Sequence, residues 1–374
     1  MPEIAESAGV AGAGARGKLY GDAGVTSVGA QPGFKAMLAQ LRQTFTLRPA
    51  TGRPLLEFGH YASVIDIGLP LAIAISTDGI GTKAIVAQLV DRYDTVGIDC
   101  VAMNANDVIC VGAEPVAMTD YIAVDVASDR LLEEIGKGLL EGARQANIAI
   151  PGGEISQIAE IIRSERPGYG FDLVGTCVGV VAPDAVLTGA DIAEGDVIIG
   201  LASSGIHSNG LSLARRVLFE SGFGPEQHVP EFGRTAGEEL LEPTRIYIRP
   251  VMSMLKGGLP LKGLAHITSD GFLNLARLSS GTGFVIDHLP DTPPIFSMIQ
   301  RMGPVPPEEM FRVYNMGVGF CVVATPEGAD RVIQIARDAD YEAWRIGHCV
   351  ADAEKRVWLK PVGLVGKDGR FAAG

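Results

Sequence analysis

An α/β architecture in two domains is what this sequence predicts, on three observations. The chain is 374 residues long, enough for about two domains of roughly 100–200 residues each. Short apolar runs that read as strands alternate with helical stretches throughout. A strand, a polar Gly turn and a helix follow one another in both halves, around residues 76–83, 202–211 and 264–272, so the second half mirrors the first. A turn-rich stretch at 186–195 marks the expected boundary. The division is then a Gly/Ala-rich arm over 1–18, expected to be disordered, a first domain over 19–185 and a second over 186–374.

Each element has its own local reason. Residues 32–45 set Phe34, Met37, Leu38, Leu41 and Phe45 on one helical face. The apolar run 69–75 reads as a buried strand and 84–91 as a short helix. Residues 97–112 read as a longer, mostly apolar helix that also carries Asp99, Asn104, Asn106 and Asp107. Charged groups are almost never fully buried without partners. Either these residues meet buried partners or the helix has a solvated polar edge. Asp99 and Asn106 are two turns apart and share a face, with Asp107 beside them. Strands are expected at 115–124, 148–154, 172–181 and 196–201; the second of these, 148–154, ends in Gly-Gly followed by Glu154. An amphipathic helix spans 128–146, and others span 211–221, 250–256 and 326–338. The stretch 224–238 reads as a linker-like insertion, and the Pro-rich 289–307 as irregular. Residues 311–325 turn β-rich, and 343–359 supply the final strands.

Composition narrows the function. The net charge of −13 argues against a general nucleic-acid or anionic-membrane surface. A polyanion can bind such a protein only in a local site built from metal, lysine or backbone amides. Five scattered cysteines, with no C-x-x-C, read as reduced core residues of a cytoplasmic protein. No apolar run approaches the ~18 residues of a membrane span, and the start of the chain lacks the pattern of a signal peptide.

Two stretches carry candidate chemistry. In Ser-Thr-Asp-Gly-Ile-Gly-Thr-Lys, residues 76–83, Gly79 and Gly81 flank Ile80 and let the backbone turn tightly against a ligand. Thr82 and Lys83 suit phosphate oxygens there, and Asp78 suits their Mg²⁺; an ordinary strand-to-helix turn with a surface lysine is the alternative. In Ser-Ser-Gly-Ile-His-Ser-Asn-Gly, residues 203–210, a Ser/Gly loop opens a helix, an arrangement that favours anions; a well-capped helix is the alternative.

Ten motifs in order carry a family resemblance: YGDAGV (20–25), STDGIGTK (76–83), TVGIDCVAMNANDV (95–108), GAEP (112–115), PGGE (151–154), SSGIHSNG (203–210), EPTRIY (242–247), AHIT (265–268), NMGVGF (315–320) and WRIG (344–347). Together they resemble the phosphoribosylformylglycinamidine cyclo-ligases, also called aminoimidazole ribonucleotide synthetases, over about residues 20–350. The resemblance implies a two-domain subunit whose N-terminal sheet pairs with that of a second copy into a barrel, giving a homodimer. It implies ATP and Mg²⁺, a small ribonucleotide substrate, and cyclisation through phosphorylation of the formyl amide oxygen. Carried onto this sequence, it makes Asp78, Asp107 and Glu154 candidate metal ligands. It sets Gly79, Gly81, Thr82, Lys83, Asn106, Ser203, Ser204, Gly205 and Asn209 at ATP or phosphate. His207, Lys83 and Asp78 become catalytic candidates, with His266 behind them, and the arm carrying Asp22 becomes a lid. Three departures bear on the acceptor. Thr268-Ser-Asp-Gly271 stands where the family usually reads Thr-Gly-Gly-Gly, and resembles the thiamine-monophosphate kinase branch of the superfamily. Residues 155–159 replace Thr-Ala-Glu-Met-Pro, and Thr26 replaces Asp.

Overall fold

The computed structural model describes residues 31–278 and 281–374. The expected arm and lid, with Asp22 and Thr26, lie outside them. Helix α1 (Pro32–Gln43) starts on a proline at its first turn, as the fixed φ of that residue favours, and buries none of its residues.

Two large sheets organise the rest. The first is six-stranded, built from β1 (Arg53–Pro54), β2 (Ser63–Asp66), β3 (Ala72–Gly79), β4 (Glu114–Val124), β5 (Ala149–Gln157) and β6 (Phe171–Val181) in the order β1-β2-β3-β6-β4-β5. The period-two alternation of β6, buried at Phe171, Leu173, Gly175 and Cys177, puts one face of this sheet on helices. Those helices are α2 (Lys83–Val90), α3 (Val96–Cys110) and α4 (Asp129–Ala146). Helices α3 and α4 cross closely because glycines meet there: a Cβ on Gly97 would lie 2.1 Å from the Leu139 backbone nitrogen, and one on Gly138 2.6 Å from the Asp94 carbonyl.

The second sheet holds eight strands, β7 (Val197–Ala202), β10 (Leu261–His266), β11 (Thr282–Ile286), β12 (Val318–Ala324), β13 (Ala343–Ala351), β14 (Val357–Leu359), β15 (Leu364–Lys367) and β16 (Arg370–Ala373). Their order is β10-β12-β7-β13-β11-β14-β15-β16. Strands β7 and β12 are buried at every residue. Helices α5 (Leu211–Glu220), α6 (Ala236–Leu240), α7 (Ile248–Lys256), α8 (Pro294–Met302), α9 (Pro307–Val313) and α10 (Pro326–Asp338) belong to this half.

Four expectations need correction. Strand β3 runs on through Ser76-Thr-Asp-Gly79, so half of the supposed turn is strand. Strand β5 does not stop at Gly152-Gly153 but continues to Gln157. The Pro-rich stretch holds α8, because prolines at its start pre-set a helical φ rather than break it. The insertion at 224–238 holds the ribbon β8 (His228–Val229) with β9 (Arg234–Thr235) and the start of α6, which Thr235 and Glu238 close with a capping box.

Candidate functional site

Helix α3 is the seam of the molecule. It lies under β3 and β6 and against the second half, and its polar residues are buried rather than solvated: Asp99, Asn104 and Asn106 are all 0% exposed. Each has a partner. Asp99 Oδ1 accepts from Lys83 Nζ at 2.7 Å, from the Thr244 backbone N–H at 2.8 Å and from its hydroxyl at 2.6 Å. Asn106 accepts from the Tyr247 N–H and donates to the Arg245 carbonyl, both at 2.9 Å. The shared face of Asp99 and Asn106 is therefore a clamp on residues 242–247. Asn104 faces the sheet instead: its oxygen accepts from the Asp78 N–H at 2.8 Å and its amide donates to the Asp78 carbonyl at 3.0 Å.

This changes the place of two expected phosphate ligands. Lys83 is fully buried, and besides Asp99 it donates to the Glu242 carbonyl at 2.6 Å and the His207 carbonyl at 3.4 Å. Burial pushes its ammonium below the usual lysine range, and the Asp99 carboxylate opposes that. Asn106 has both ends of its amide occupied by backbone. Neither side chain has an open direction toward a ligand.

The carboxylates divide. Asp107, at the end of α3, meets His266, at the end of β10, with Oδ1 and Nδ1 2.9 Å apart. His266 is 0% exposed and its Nε2 has no partner. Asp78 is pushed up to about 6, first by burial and then by the Asp107 carboxylate; the Gly79 N–H on its Oδ1 opposes the shift. Two carboxylates that repel in a part-buried setting suit a hard cation, which removes the repulsion. Glu154 is not brought to them. Asp78 pairs with Gly175, Gly175 with Asp120 and Asp120 with Gly153, so Glu154 stands three strands away, roughly 14 Å at the usual spacing. Its own cross-strand neighbour is Tyr121, on the opposite face, where both are exposed. Among the described residues no group of three or more His, Cys, Asp or Glu is placed to hold a metal ion. A pair of carboxylates is nevertheless what Mg²⁺ commonly takes from a protein when phosphates and water supply its other ligands.

The two candidate phosphate elements do come together: the Thr82 and Ser212 hydroxyls are 3.1 Å apart, at the starts of α2 and α5. Gly81 has a φ of +58° with nothing within 4 Å of where a Cβ would stand, so its backbone is open to approach. In the 203–210 loop the buried Ser203 hydroxyl has no partner. Ser204 donates its hydroxyl to the Pro243 carbonyl at 2.6 Å. Gly205 has a φ of +156° and is pinned by Asn315, which donates to its carbonyl at 2.8 Å. Asn209 donates to the Thr268 hydroxyl. His207 accepts the Ser204 N–H on Nε2 at 3.2 Å, which places its proton on Nδ1. Burial, with His266 and Lys83 nearby, pushes it well below the usual range, so it is neutral at pH 7. It holds the loop from inside.

Sequence reasoning missed Thr244 and Asn315 as residues that fix these loops. Thr244 and Asn315 sit within the EPTRIY and NMGVGF motifs, and the need of a buried Asp99 for donors is the signal that points to Thr244.

A match to the model of the AIR synthase related protein N-terminal domain spans residues 59–181, and one to the C-terminal domain spans 193–360. Among solved structures, thiamine-monophosphate kinase from Stenotrophomonas maltophilia aligns with a TM-score of 0.56 at 20% identity, over 86% of this chain and 95% of that one. Thermotoga maritima PurL complexed with ATP aligns with a TM-score of 0.53 at 18% identity, over 87% of this chain and 48% of that one. These likenesses show the fold. The fold and the seam around α3 thus define an AIR-synthase-related protein. Phosphoribosylformylglycinamidine cyclo-ligase of Methanocaldococcus jannaschii is 46% identical over 337 residues, 90% of this chain and 93% of that protein. That of Methanothermobacter thermautotrophicus is 49% identical over 281 residues, 75% and 81%. The chain belongs to the phosphoribosylformylglycinamidine cyclo-ligase family, enzymes that close a ring through a carbon–nitrogen bond.

Proposed function

We propose that this chain closes the imidazole ring of formylglycinamidine ribonucleotide with turnover of ATP. The observation that carries the reading is the Asp78–Asp107 carboxylate pair, backed by His266 and set on the same seam as the Gly81–Thr82 turn and the 203–210 loop. The formyl amide oxygen attacks the terminal phosphorus of ATP and ADP leaves. The amidine nitrogen then attacks the activated carbon, phosphate departs with the former formyl oxygen, and the nitrogen loses a proton. Mg²⁺ held by Asp78 and Asp107 would supply neutralisation of the triphosphate charge. The Gly81 backbone, the Thr82 hydroxyl and the free Ser203 hydroxyl are the donors toward phosphate, the Gly79 and Ile80 N–H groups being held by Asp78 and the Leu173 carbonyl, while Ser204, Gly205, Asn209 and His207 hold the loop that presents them. Lys83 and Asn106 hold the two halves in register. His266, oriented by Asp107, is the group placed to hold a proton.

The test is ADP release by purified protein with ATP and the ribonucleotide, with thiamine monophosphate as the comparison acceptor. ADP release that does not depend on the ribonucleotide overturns the proposal.

We further propose a homodimer through the uncovered face of the first sheet. Ile73, Ile75, Val174, Val178, Val180 and Tyr121 share that face by their cross-strand pairing, and Tyr121 is 41% exposed. An apolar sheet face of this kind calls for a partner, and a second copy offers the same surface. Glu154 stands on that face, so a role for it at metal requires the second copy. A cytoplasmic setting is supported by five cysteines that are all unpaired and buried, and no helix among the described residues is long and apolar enough to cross a membrane.

A further inference from the structure

The phosphate turn lacks the cation its sequence promises, because Lys83 is engaged by Asp99 and by the Glu242 and His207 carbonyls. Helix α5 carries another. Ser212 and Arg215 lie one turn apart on the same face of that helix, and the Ser212 hydroxyl on this face stands 3.1 Å from the Thr82 hydroxyl. Helical residues three apart hold their Cβ atoms about 5–6 Å from each other, and helical side chains lean back toward the helix start. Arg215 therefore leans toward the turn that carries Ser212 and faces Thr82. Its Nη1 is buried and has no hydrogen-bond partner. The residue as a whole is only partly buried, so part of its fork stays within reach of a ligand. Among the described residues no carboxylate forms an ion pair with it, whereas its neighbour Arg216 pairs with Glu220 at 3.1 Å. Burial pushes the Arg215 guanidinium below the usual arginine range, and the Glu165 carboxylate opposes this from beyond ion-pair distance.

A guanidinium drawn partly out of water without a counterion is costly to hold. The groups in front of it are donors as well. The Thr82 and Ser212 hydroxyls share one hydrogen bond, which uses one of their two protons and leaves the other free to donate. At Gly81 nothing lies within 4 Å of where a Cβ would stand, so the backbone there admits a close approach. A guanidinium fork, a free hydroxyl proton and an open glycine backbone together suit a group with several charged oxygens, and a phosphate is the group whose geometry the fork matches.

We infer that Arg215 binds a phosphate group at the Thr82–Ser212 hydroxyls and is the cation that this turn uses in place of Lys83. The inference deepens the proposed function and rests on it for the nature of the ligand. Two sources offer the same chemistry there, the triphosphate of ATP and the 5′-phosphate of the ribonucleotide. Arg215 is a binding residue in either case, and the arms of the experiment separate the two.

The test uses the full chain and two variants, Arg215→Met and Arg215→Lys. Three probes are titrated by calorimetry: tripolyphosphate with Mg²⁺, a non-hydrolysable ATP analogue with Mg²⁺, and ribose 5-phosphate alone. Arg215→Met should weaken binding about ten- to a hundredfold, the range for a lost charge-assisted hydrogen bond. Arg215→Lys, which keeps the charge and loses the fork, should fall between. A loss on tripolyphosphate and the ATP analogue assigns the site to the nucleotide, and a loss on ribose 5-phosphate alone assigns it to the ribonucleotide; either supports the inference. Melting without ligand adds a readout that a structural arginine would move in the other direction. Arg215→Met removes an uncompensated, partly buried charge, so it should melt no lower than wild type. Three results overturn the inference: no probe binds wild type, every probe binds Arg215→Met within about threefold of wild type, or all probes weaken together with a lower melting temperature. The turnover assay keeps the two claims apart. If ADP release does not depend on the ribonucleotide while phosphate binding still depends on Arg215, the proposed reaction falls and the site stands. If Arg215→Met turns over with both KM values unchanged, the site falls and the reaction stands.

Discussion

Replacing Lys83 by alanine separates the two roles that a lysine after a Gly turn can have. In the structure Lys83 and Asp99 are 2.7 Å apart with both side chains 0% exposed. Removing the ammonium leaves the Asp99 carboxylate buried with only neutral donors from Thr244 and Ser208. Breaking a buried pair from one side costs about 3–5 kcal/mol, because the remaining charge is uncompensated. At about 2–4 °C per kcal/mol for a cooperative unit of this size, Lys83→Ala should melt roughly 6–20 °C below wild type. The double variant Lys83→Met/Asp99→Asn should recover most of that loss, since it removes both charges and keeps hydrogen-bonding capacity at position 99. Calorimetric melting gives the stability, and titration with a non-hydrolysable ATP analogue well below the transition gives the affinity. A melting temperature within about 2 °C of wild type, with affinity down tenfold or more, would refute the reasoning. Lys83 would then face phosphate rather than Asp99.

Three further outcomes are expected. Asp78 is pushed up to about 6 from 3.8, so the folded state holds its proton more tightly than the unfolded chain. Its contribution is favourable below about pH 4 and is lost as pH rises through 6. Asp78→Asn should therefore raise the melting temperature of the metal-free protein at pH 7.5 but not at pH 4, and should abolish stabilisation by Mg·ATP; equal effects at both pH values would count against it. Gly271→Ala should lose more than about 3 kcal/mol in denaturant unfolding, because φ is +56° and its Cβ would stand 1.9 Å from the Phe311 carbonyl oxygen; a loss under about 1 kcal/mol would contradict that contact. Val178→Lys should convert a dimer to a monomer by light scattering with circular dichroism unchanged, and a mass equal to that of wild type would remove this sheet face as the interface.

What the sequence made legible was whatever depends on neighbours. The apolar helix at α3 with its four polar residues left two readings, buried partners or a solvated edge; the structure shows the first, with the shared face of Asp99 and Asn106 holding one segment, 242–247. Helix α10 was legible to the residue from its proline start and its periodicity. What stayed hidden depends on distant chain. A Gly turn followed by Thr-Lys looks the same whether its lysine meets phosphate or a carboxylate. The deciding groups are 16 residues away at Asp99 and 159 away at Glu242. Glu154 was obscured differently. Reading Gly152-Gly153 as a strand end left it in a loop free to reach Asp78, whereas an edge strand running on to Gln157 fixes it by alternation on the other face.

The same logic bears on Thr268–Gly271, where this chain departs from its family's usual glycines. Asp270 has a φ of +71°, in the left-handed region that glycine enters freely and that Asp is among the few other residues to tolerate. Gly271 is retained where a side chain has no room. Ser269 is exposed, so a glycine there was not sterically required. The substitutions thus keep the backbone path of a Gly-rich turn, and Thr268 still receives Asn209 of the 203–210 loop. They are no sign of a different reaction: the relatives at 46% and 49% identity are cyclo-ligases, and the kinase likeness is one of fold at 20% identity. What they change is the chemistry lining the turn, adding a hydroxyl and a carboxylate just before the 3₁₀ helix Gly271–Arg277. Asp270→Gly keeps the backbone path, so it should leave folding and the KM for ATP as they are, and an unfolding loss above about 1 kcal/mol would contradict that reading.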